Sequence, residues 1–439
     1  MLLYTTLCAW AFFLILNRPI TAVVMVLSVL ILDQLLRVIP PFAIGTYNVY
    51  LWDVLAIIFT AAAILRLAID KQSQIVIRSY PWKLFAVFCA VTIFEIIRGL
   101  PHYGQTTIVH AREHIFAVAT AAYFSTFRFD ETTMKRIFLT FIVFGIILLS
   151  FAYLSWLGLL PRPAPLAQYE GTWLAERVLN RYGCFYAVFV LFILIVSQIN
   201  QITSGNIFSW VVVISLIAAI ILDQVRTMWV ITFVGFLILA FKYKSKFTGQ
   251  MVGAMFVFII LVVFLLFYEP QTASRAGDYL YQAAMVFWKP EHTTFSWRME
   301  VNLAYLKQMS LKDYIFGVPF GTPVSYEVMG RTEQSSPHNM FIWQIYHLGV
   351  LGVIVFYLLQ FSVIFNLNNL AKKESNRMMR SFFVIFWLMF LCYQVLFLAW
   401  TADPFYPVIL GMSISTVAHY EQKIKSGKDN GLKECLWIG

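Results

Sequence analysis

Residues 335–366 read SSPHN followed by MFIWQIYHLGVLGVIVFYLLQFSVIFN, and this stretch decides the fold. The 27 residues from Met340 to Asn366 contain no Asp, Glu, Lys or Arg. About 20 such residues in a helix cross the hydrocarbon core of a bilayer, so the run predicts a membrane-spanning helix. A polar pentad precedes it, and the histidine of that pentad, His338, stands at the lip of the helix. Upstream lies the polar segment 269–338. A titratable group therefore faces a large extramembrane segment.

Runs of the same character recur over nearly the whole chain. Candidate spans fall at about 2–16, 19–37, 50–68, 81–98, 111–127, 134–158, 183–199, 207–222, 227–241, 250–268, 340–366, 381–400 and 404–420. The 439 residues are 60% hydrophobic and 12% charged, and the mean hydropathy is +0.76. A soluble chain carries about 25% charged residues. The expectation is an all-α, polytopic transmembrane helical bundle of 12 to 14 spans. Residues 1–439 form one integral membrane domain, and segment 269–338 is a large loop within it. The short alternating strands of a membrane barrel are not seen. No repeat at 20–50 residues is evident, and no inverted repeat.

The formal net charge is +10. Many of the cations sit in short connections between apolar runs, which is the positive-inside pattern rather than a nucleic-acid surface. Lys71, Arg78 and Lys83 form one cluster. Others are Arg128, Lys135 and Arg136; Lys242, Lys244 and Lys246; Lys372, Lys373, Arg377 and Arg380; and Lys423, Lys425 and Lys428. Even numbers of spans separate these clusters, so all fall on one side, read as cytoplasmic, together with the C-terminus. The N-terminus reads as a first span and not as a removable signal. The five cysteines (Cys8, Cys89, Cys184, Cys392, Cys435) are scattered and read as packing residues.

The opposite side receives segments 40–52, 98–114, 159–183, 223–227 and 400–404, besides the large loop. Its basic residues are mostly arginines: Arg98, Arg112, Arg162, Arg177, Arg181, Arg226, Arg275, Arg298 and Arg331, against Lys289, Lys307 and Lys312. They run against the topological trend and need another reason. Arginine is the better fork for phosphate oxygens.

Three residues stand out as candidates for chemistry. Ser336 suits a helix N-cap and Pro337 the first helical position, which puts His338 in the first turn. The positive end of the helix dipole disfavours imidazolium there, so a neutral ring can accept a proton; the alternative is an interfacial histidine bonded to the loop. Arg226 sits in DQVRT, residues 223–227, between two apolar runs with almost no loop. A charge near membrane depth is costly unless paired or used, and Asp223 is a candidate partner. Arg298 lies in SWRME, residues 296–300, on a loop helix with an apolar face; Glu300 is its candidate partner. FGVPFGTP, residues 316–323, has turn chemistry rather than phosphate-loop spacing and folds the loop back over the membrane. Trp173, Trp288 and Trp297 are candidates to stack on sugars, although an interfacial belt or core packing is the first reading for any one of them. Asp33, Asp53 and Glu95 lie near span ends, where snorkelling accounts for them. No hydrolase or zinc motif is present.

The order of these features resembles the O-antigen ligase and O-antigen or exopolysaccharide polymerase family of bacterial integral membrane glycosyltransferases. The features are the Arg226 connection, an outer loop with Trp297-Arg298 and residues 316–321, then residues 336–339 and Gly349-Val350-Leu351-Gly352. The motifs cover about residues 205–415. The resemblance implies a bundle whose periplasmic loop lids a cavity, in the bacterial inner membrane. It implies transfer of a glycan from an undecaprenyl-diphosphate-linked donor to a glycan or glycolipid acceptor, with neither nucleotide nor metal and no cofactor. Arg226 and Arg298 would hold the diphosphate and His338 would activate the acceptor hydroxyl. Polymerisation of repeat units, with a chain-length regulator protein as partner, is the first expectation. Ligation to lipid A-core in lipopolysaccharide synthesis is the alternative. Segment 159–183 is shorter than the second outer loop common among the polymerases. A lipid-linked glycan transporter or flippase is the remaining class; it predicts broken charged helices and internal pseudo-symmetry, neither of which is evident.

Overall fold

A computed structural model describes residues 11–31, 42–44, 47–160, 179, 181–200, 207–222, 225–243, 260, 294–324, 326–328, 331–333, 337, 339–398 and 404–425. The fold is an all-α polytopic bundle. In chain order its helices are α1 (Pro19–Ile31), α2 (Leu51–Ile69), α3 (Ser73–Ile77), α4 (Tyr80–Tyr103), α5 (Gln105–Ser125), α6 (Glu131–Trp156) and α7 (Arg181–Ile199). They continue with α8 (Ile207–Leu222), α9 (Arg226–Tyr243), α10 (Thr294–Lys307), α11 (Leu311–Phe316), α12 (Met340–Lys373), α13 (Arg377–Phe397) and α14 (Tyr406–Lys425). Two small antiparallel hairpins accompany them. β1 (Phe42–Ile44) pairs with β2 (Tyr47–Val49), with Ala43 opposite Asn48; β3 (Tyr326–Val328) pairs with β4 (Arg331–Glu333), with Glu327 opposite Thr332.

The apolar runs become helices because a backbone in hydrocarbon must satisfy its own hydrogen bonds. Among the described residues, α2, α4, α6, α7, α12 and α13 are long and apolar enough to cross a membrane, and α1, α8 and α9 are shorter apolar helices. α5 and α14 also coincide with expected spans but carry charge: Arg112 and Glu113 on one, Glu421, Lys423 and Lys425 on the other. The expected span 250–268 lies outside the described residues save for Ile260. So do Cys8 and Cys435, the tryptophans at 173 and 288, and residues 269–293 of the large loop.

The surface is that of a membrane protein. Along α12, Leu351, Ile354, Leu358, Phe361 and Phe365 lie between 46% and 61% exposed, at helical spacing. The other face of the same helix buries Phe356, Leu359, Val363 and Leu367. A helix apolar on both faces suits a bundle whose outside is lipid. α7 is central: Phe185, Val188, Phe189, Phe192 and Val196 are all fully buried, and α6, α8, α9 and α13 pack around it. On the other flank α5 packs on α2 and α14, and α4 packs on α12.

The basic clusters share one end of this bundle. Arg66 donates to Leu16 O (3.0 Å), Asp70 (2.9 Å) and Thr126 O (3.2 Å), which ties together the turns after residues 16, 69 and 125. Ser73 Oγ donates to Thr126 O at 2.8 Å. Asn376 reaches Glu131 (2.9 Å), Tyr420 reaches Glu374 (3.0 Å) and Lys242 reaches Asn368 (3.2 Å). At this same end Asp130 caps α6, and its bonds with Thr133, side chain and amide, hold its carboxyl below the usual carboxylate range. The parity of spans and the folded arrangement thus agree on which connections lie together. Lys244, Lys246 and Lys428 lie outside the described residues.

The segment 98–114 differs from its expected form as an extramembrane connection. α4 runs through Pro101 to Tyr103 and α5 begins at Gln105, so Gly104 alone (φ 51) separates two helices. Helical turns need not be apolar once they leave the hydrocarbon, so hydropathy alone cut both helices short.

Candidate functional site

The end opposite the basic clusters gathers the start of α12, the finish of α4, the start of α5, and α10 and α11. α12 begins with a side-chain cap. Asn339 Oδ1 accepts from the amides of Phe341 (2.9 Å) and Ile342 (3.2 Å). This corrects the expected cap at Ser336. The helix starts at Met340, so His338 precedes the cap and does not occupy the first turn. An asparagine cap with two amide bonds outcompetes a start three residues earlier, where Pro337 would supply the first turn. The backbone and side chain of His338 itself lie outside the described residues; Pro337, its neighbour, is buried.

Nine residues further, α12 breaks. Gly349 has φ 62 and ψ −178, which splits the helix into 340–348 and 350–373. The break frees the Tyr346 carbonyl, and the Val318 amide fills it with a 2.6 Å hydrogen bond. Two glycines make this approach feasible. A β-carbon on Gly349 would stand 2.3 Å from Ile315 O, and one on Gly317 (φ 93) would stand 2.3 Å from His347 O. The docked segment 316–321 is largely buried: Gly317, Val318, Phe320 and Gly321 are buried, with Phe320 at 0% exposure, while Phe316 remains 44% exposed. The Phe320 ring stacks on His347 (4.4 Å between centroids) and meets His114 edge-on at 5.2 Å. A β-carbon on Gly99 of α4 would fall 2.2 Å from Phe320 O.

The outer arginines that the structure describes have internal work. Arg98 Nη1 contacts both carboxylate oxygens of Glu95, at 2.8 and 2.7 Å, and donates to Gly317 O at 3.2 Å. Glu95 is completely buried, so snorkelling does not apply to it. It is the counter-charge of an arginine that also holds the docked segment. Arg112 pairs with Asp53 at 2.8 Å and donates to Asn48 O at 2.9 Å. Asp53 in turn caps α2 through the Tyr50 amide, so it too has a role beyond snorkelling. Arg98 and Arg112 therefore join elements before they could meet any phosphate. Arg298 is half-buried on α10, while Glu300 is exposed. α10 packs Val301 and Tyr305 against Trp343 and Tyr346 of α12, so Arg298 sits beside the first turns of that helix. The side chains of Arg226 and Trp297 lie outside the described residues, as do Asp223 and those of Arg162, Arg177, Arg181, Arg275 and Arg331. The backbone of Arg226 begins α9. Because the far end of α9 carries Lys242 at the basic end, its first turn belongs to the end where α12 starts.

A cavity of about 270 Å³ opens beside Met340, two residues past His338. Trp52, Phe85, Phe88, Phe356, Phe397 and Leu410 supply its apolar wall, and Tyr50, Arg112 and Glu113 its polar edge. His114 and Gln344 also line it. His114 is 5% exposed and Gln344 0%. Neither imidazole nitrogen and neither end of the carboxamide has a hydrogen-bond partner among the described residues. Leaving such a group unpaired costs about 1–3 kcal/mol. Sequence reasoning missed both residues. Their signal was an uncharged polar side chain inside a span, where polar groups mark function or a polar partner. Among the described residues no three His, Cys, Asp or Glu side chains are grouped to ligate a metal ion.

No family model matches the chain, and no curated protein matches it.

Proposed function

We propose that this protein is a glycosyltransferase of the bacterial inner membrane that uses undecaprenyl-diphosphate-linked glycan as donor. It acts at the periplasmic end of the bundle, most simply as a polymerase of O-antigen or exopolysaccharide repeat units. The observation that supports the reading is the surroundings of the start of α12. A cavity opens two residues past His338, and the helix bearing Arg298 packs on the same turns, at the end away from the basic clusters.

In this reading the acceptor hydroxyl oxygen attacks the anomeric carbon. Its proton passes to the His338 imidazole as the bond to the diphosphate oxygen breaks, and the diphosphate leaves with the bonding pair. Arg226 and Arg298 offset the charge that develops on the leaving group. The bundle holds both glycans, which lowers the entropic cost of their meeting.

The test is a deletion strain complemented with wild type or with His338→Ala, analysed by gel and by lipid extraction. Single repeat units on the final acceptor, restored to long chains by wild type but not by His338→Ala, support the polymerase reading. Long chains stranded on the carrier lipid transfer the reading to the ligase. Normal glycan in the deletion strain contradicts both.

A further inference from the structure

The cavity beside Met340 combines features that a water cluster or a bare hydrocarbon meets only in part. At about 270 Å³ it far exceeds the room for one water, about 10–15 Å³. Much of its wall is aromatic or aliphatic. Yet two of its lining side chains, His114 and Gln344, are more than nine-tenths buried with every polar atom unpartnered among the described residues. An isoprenoid or alkyl chain alone would cover Phe85, Phe88, Phe356 and Phe397 but leave His114 and Gln344 unsatisfied. A diphosphate would need cations at depth, and the arginine at the edge, Arg112, is already joined to Asp53. A neutral imidazole and a carboxamide each both donate and accept, so their complement is an uncharged group that does the same or accepts twice.

We infer that this cavity binds an acylated lipid, with its neutral ester or amide linkage bonded to His114 and Gln344 and its hydrocarbon laid along the Phe85, Phe88, Phe356 and Phe397 wall. The polar edge at Tyr50, Arg112 and Glu113 lies where the headgroup emerges. α12 supports the geometry: its break at Gly349 separates the turn bearing Gln344 from the turn bearing Phe356, so one helix contributes both the polar contact and the apolar wall. The inference does not depend on glycan transfer. A glycerophospholipid and an acylated glycolipid share this linkage chemistry, and the experiment separates them.

The test uses the full-length protein in lipid nanodiscs containing phosphatidylcholine with a photoreactive diazirine near its ester. Crosslinked peptides are mapped by mass spectrometry. Wild type should crosslink at residues 114–118 and 344–356, and these crosslinks should fall about ten-fold in His114→Phe/Gln344→Leu, as expected for the loss of two hydrogen bonds. Crosslinks on the lipid-facing side at Leu358 and Phe361 should not change, which controls for folding. Gln344→Leu alone provides a milder variant with an intermediate loss. Competition by excess phosphatidylcholine or by an acylated glucosamine lipid identifies the preferred source, and either supports the site. Equal cavity crosslinking in wild type and both variants, no crosslinking above that of the outer face, or equal competition by a long-chain alkane would overturn it.

Discussion

Gly317 and Gly349 each occupy a backbone conformation that side chains avoid, and each lies against the other's segment. Gly104 has a comparable positive φ but open space around it, with nothing within 4 Å of a built β-carbon. The three glycines therefore separate conformational strain from collision. Gly104→Ala should cost only the strain of its positive-φ backbone, about 1–3 kcal/mol. Gly317→Ala adds a clash with the His347 carbonyl, which is backbone and cannot swing away, so it should lower the unfolding temperature of the purified protein several-fold further. Equal shifts for the two variants would mean that segment 316–321 is not docked on the α12 break. The need for turn residues was legible in FGVPFG. The docking partner was not, because Gly317 and Gly349 are 32 positions apart and no local pattern joins them. His338 illustrates the same limit at one residue. Ser336-Pro337 reads as a helix start, and only the folded cap shows Asn339 taking that place.

At the scale of elements, the seam between α10 and α12 ties the large loop to the bundle. Tyr305 meets Tyr346 edge-on with centroids 4.9 Å apart, and Val301, Met309, Val318 and Trp343 complete a cluster separate from the main core. Because that cluster is separate, its loss should free the loop before it unfolds the spans. Tyr305→Ala removes a buried aromatic, a change that costs about 3–5 kcal/mol in a well-packed site. The expected outcome is rapid proteolysis between residues 294 and 324 with the unfolding temperature of the bundle nearly unchanged. A cooperative drop in that temperature, without selective cleavage, would instead make α10 part of the main core. The described spans were legible to within several residues at their ends, since bilayer thickness imposes the length of an apolar run. The apolar face of α10 was legible too. The union of α4 and α5 across Gly104 was not, because hydropathy marks where a helix leaves hydrocarbon and not where it ends. The pairing of Glu95 with Arg98 was missed for a related reason: sequence gives the three-residue spacing but not the burial that makes the pair obligatory.

Across the whole molecule, two ends differ in kind. One collects the turns at 70–79, 126–130 and 374–376 with their lysines and arginines. The other collects the start of α12, the docked loop segment and a cavity with unpartnered polar groups. The sidedness was legible because charge counts only require knowing how many spans intervene. The cavity was not, because His114 and Gln344 come together only through packing of α5 on α4 and of α4 on α12. All the proposed chemistry requires that this second end face away from the cytoplasm. The direct measurement is thiol labelling of intact cells with a membrane-impermeant maleimide. Gln74→Cys and Thr106→Cys, both exposed positions at opposite ends, are compared in a background with the native cysteines replaced by serine. The account predicts that Thr106→Cys labels in intact cells and Gln74→Cys only after permeabilisation; the reverse pattern, or labelling of both in intact cells, would contradict it.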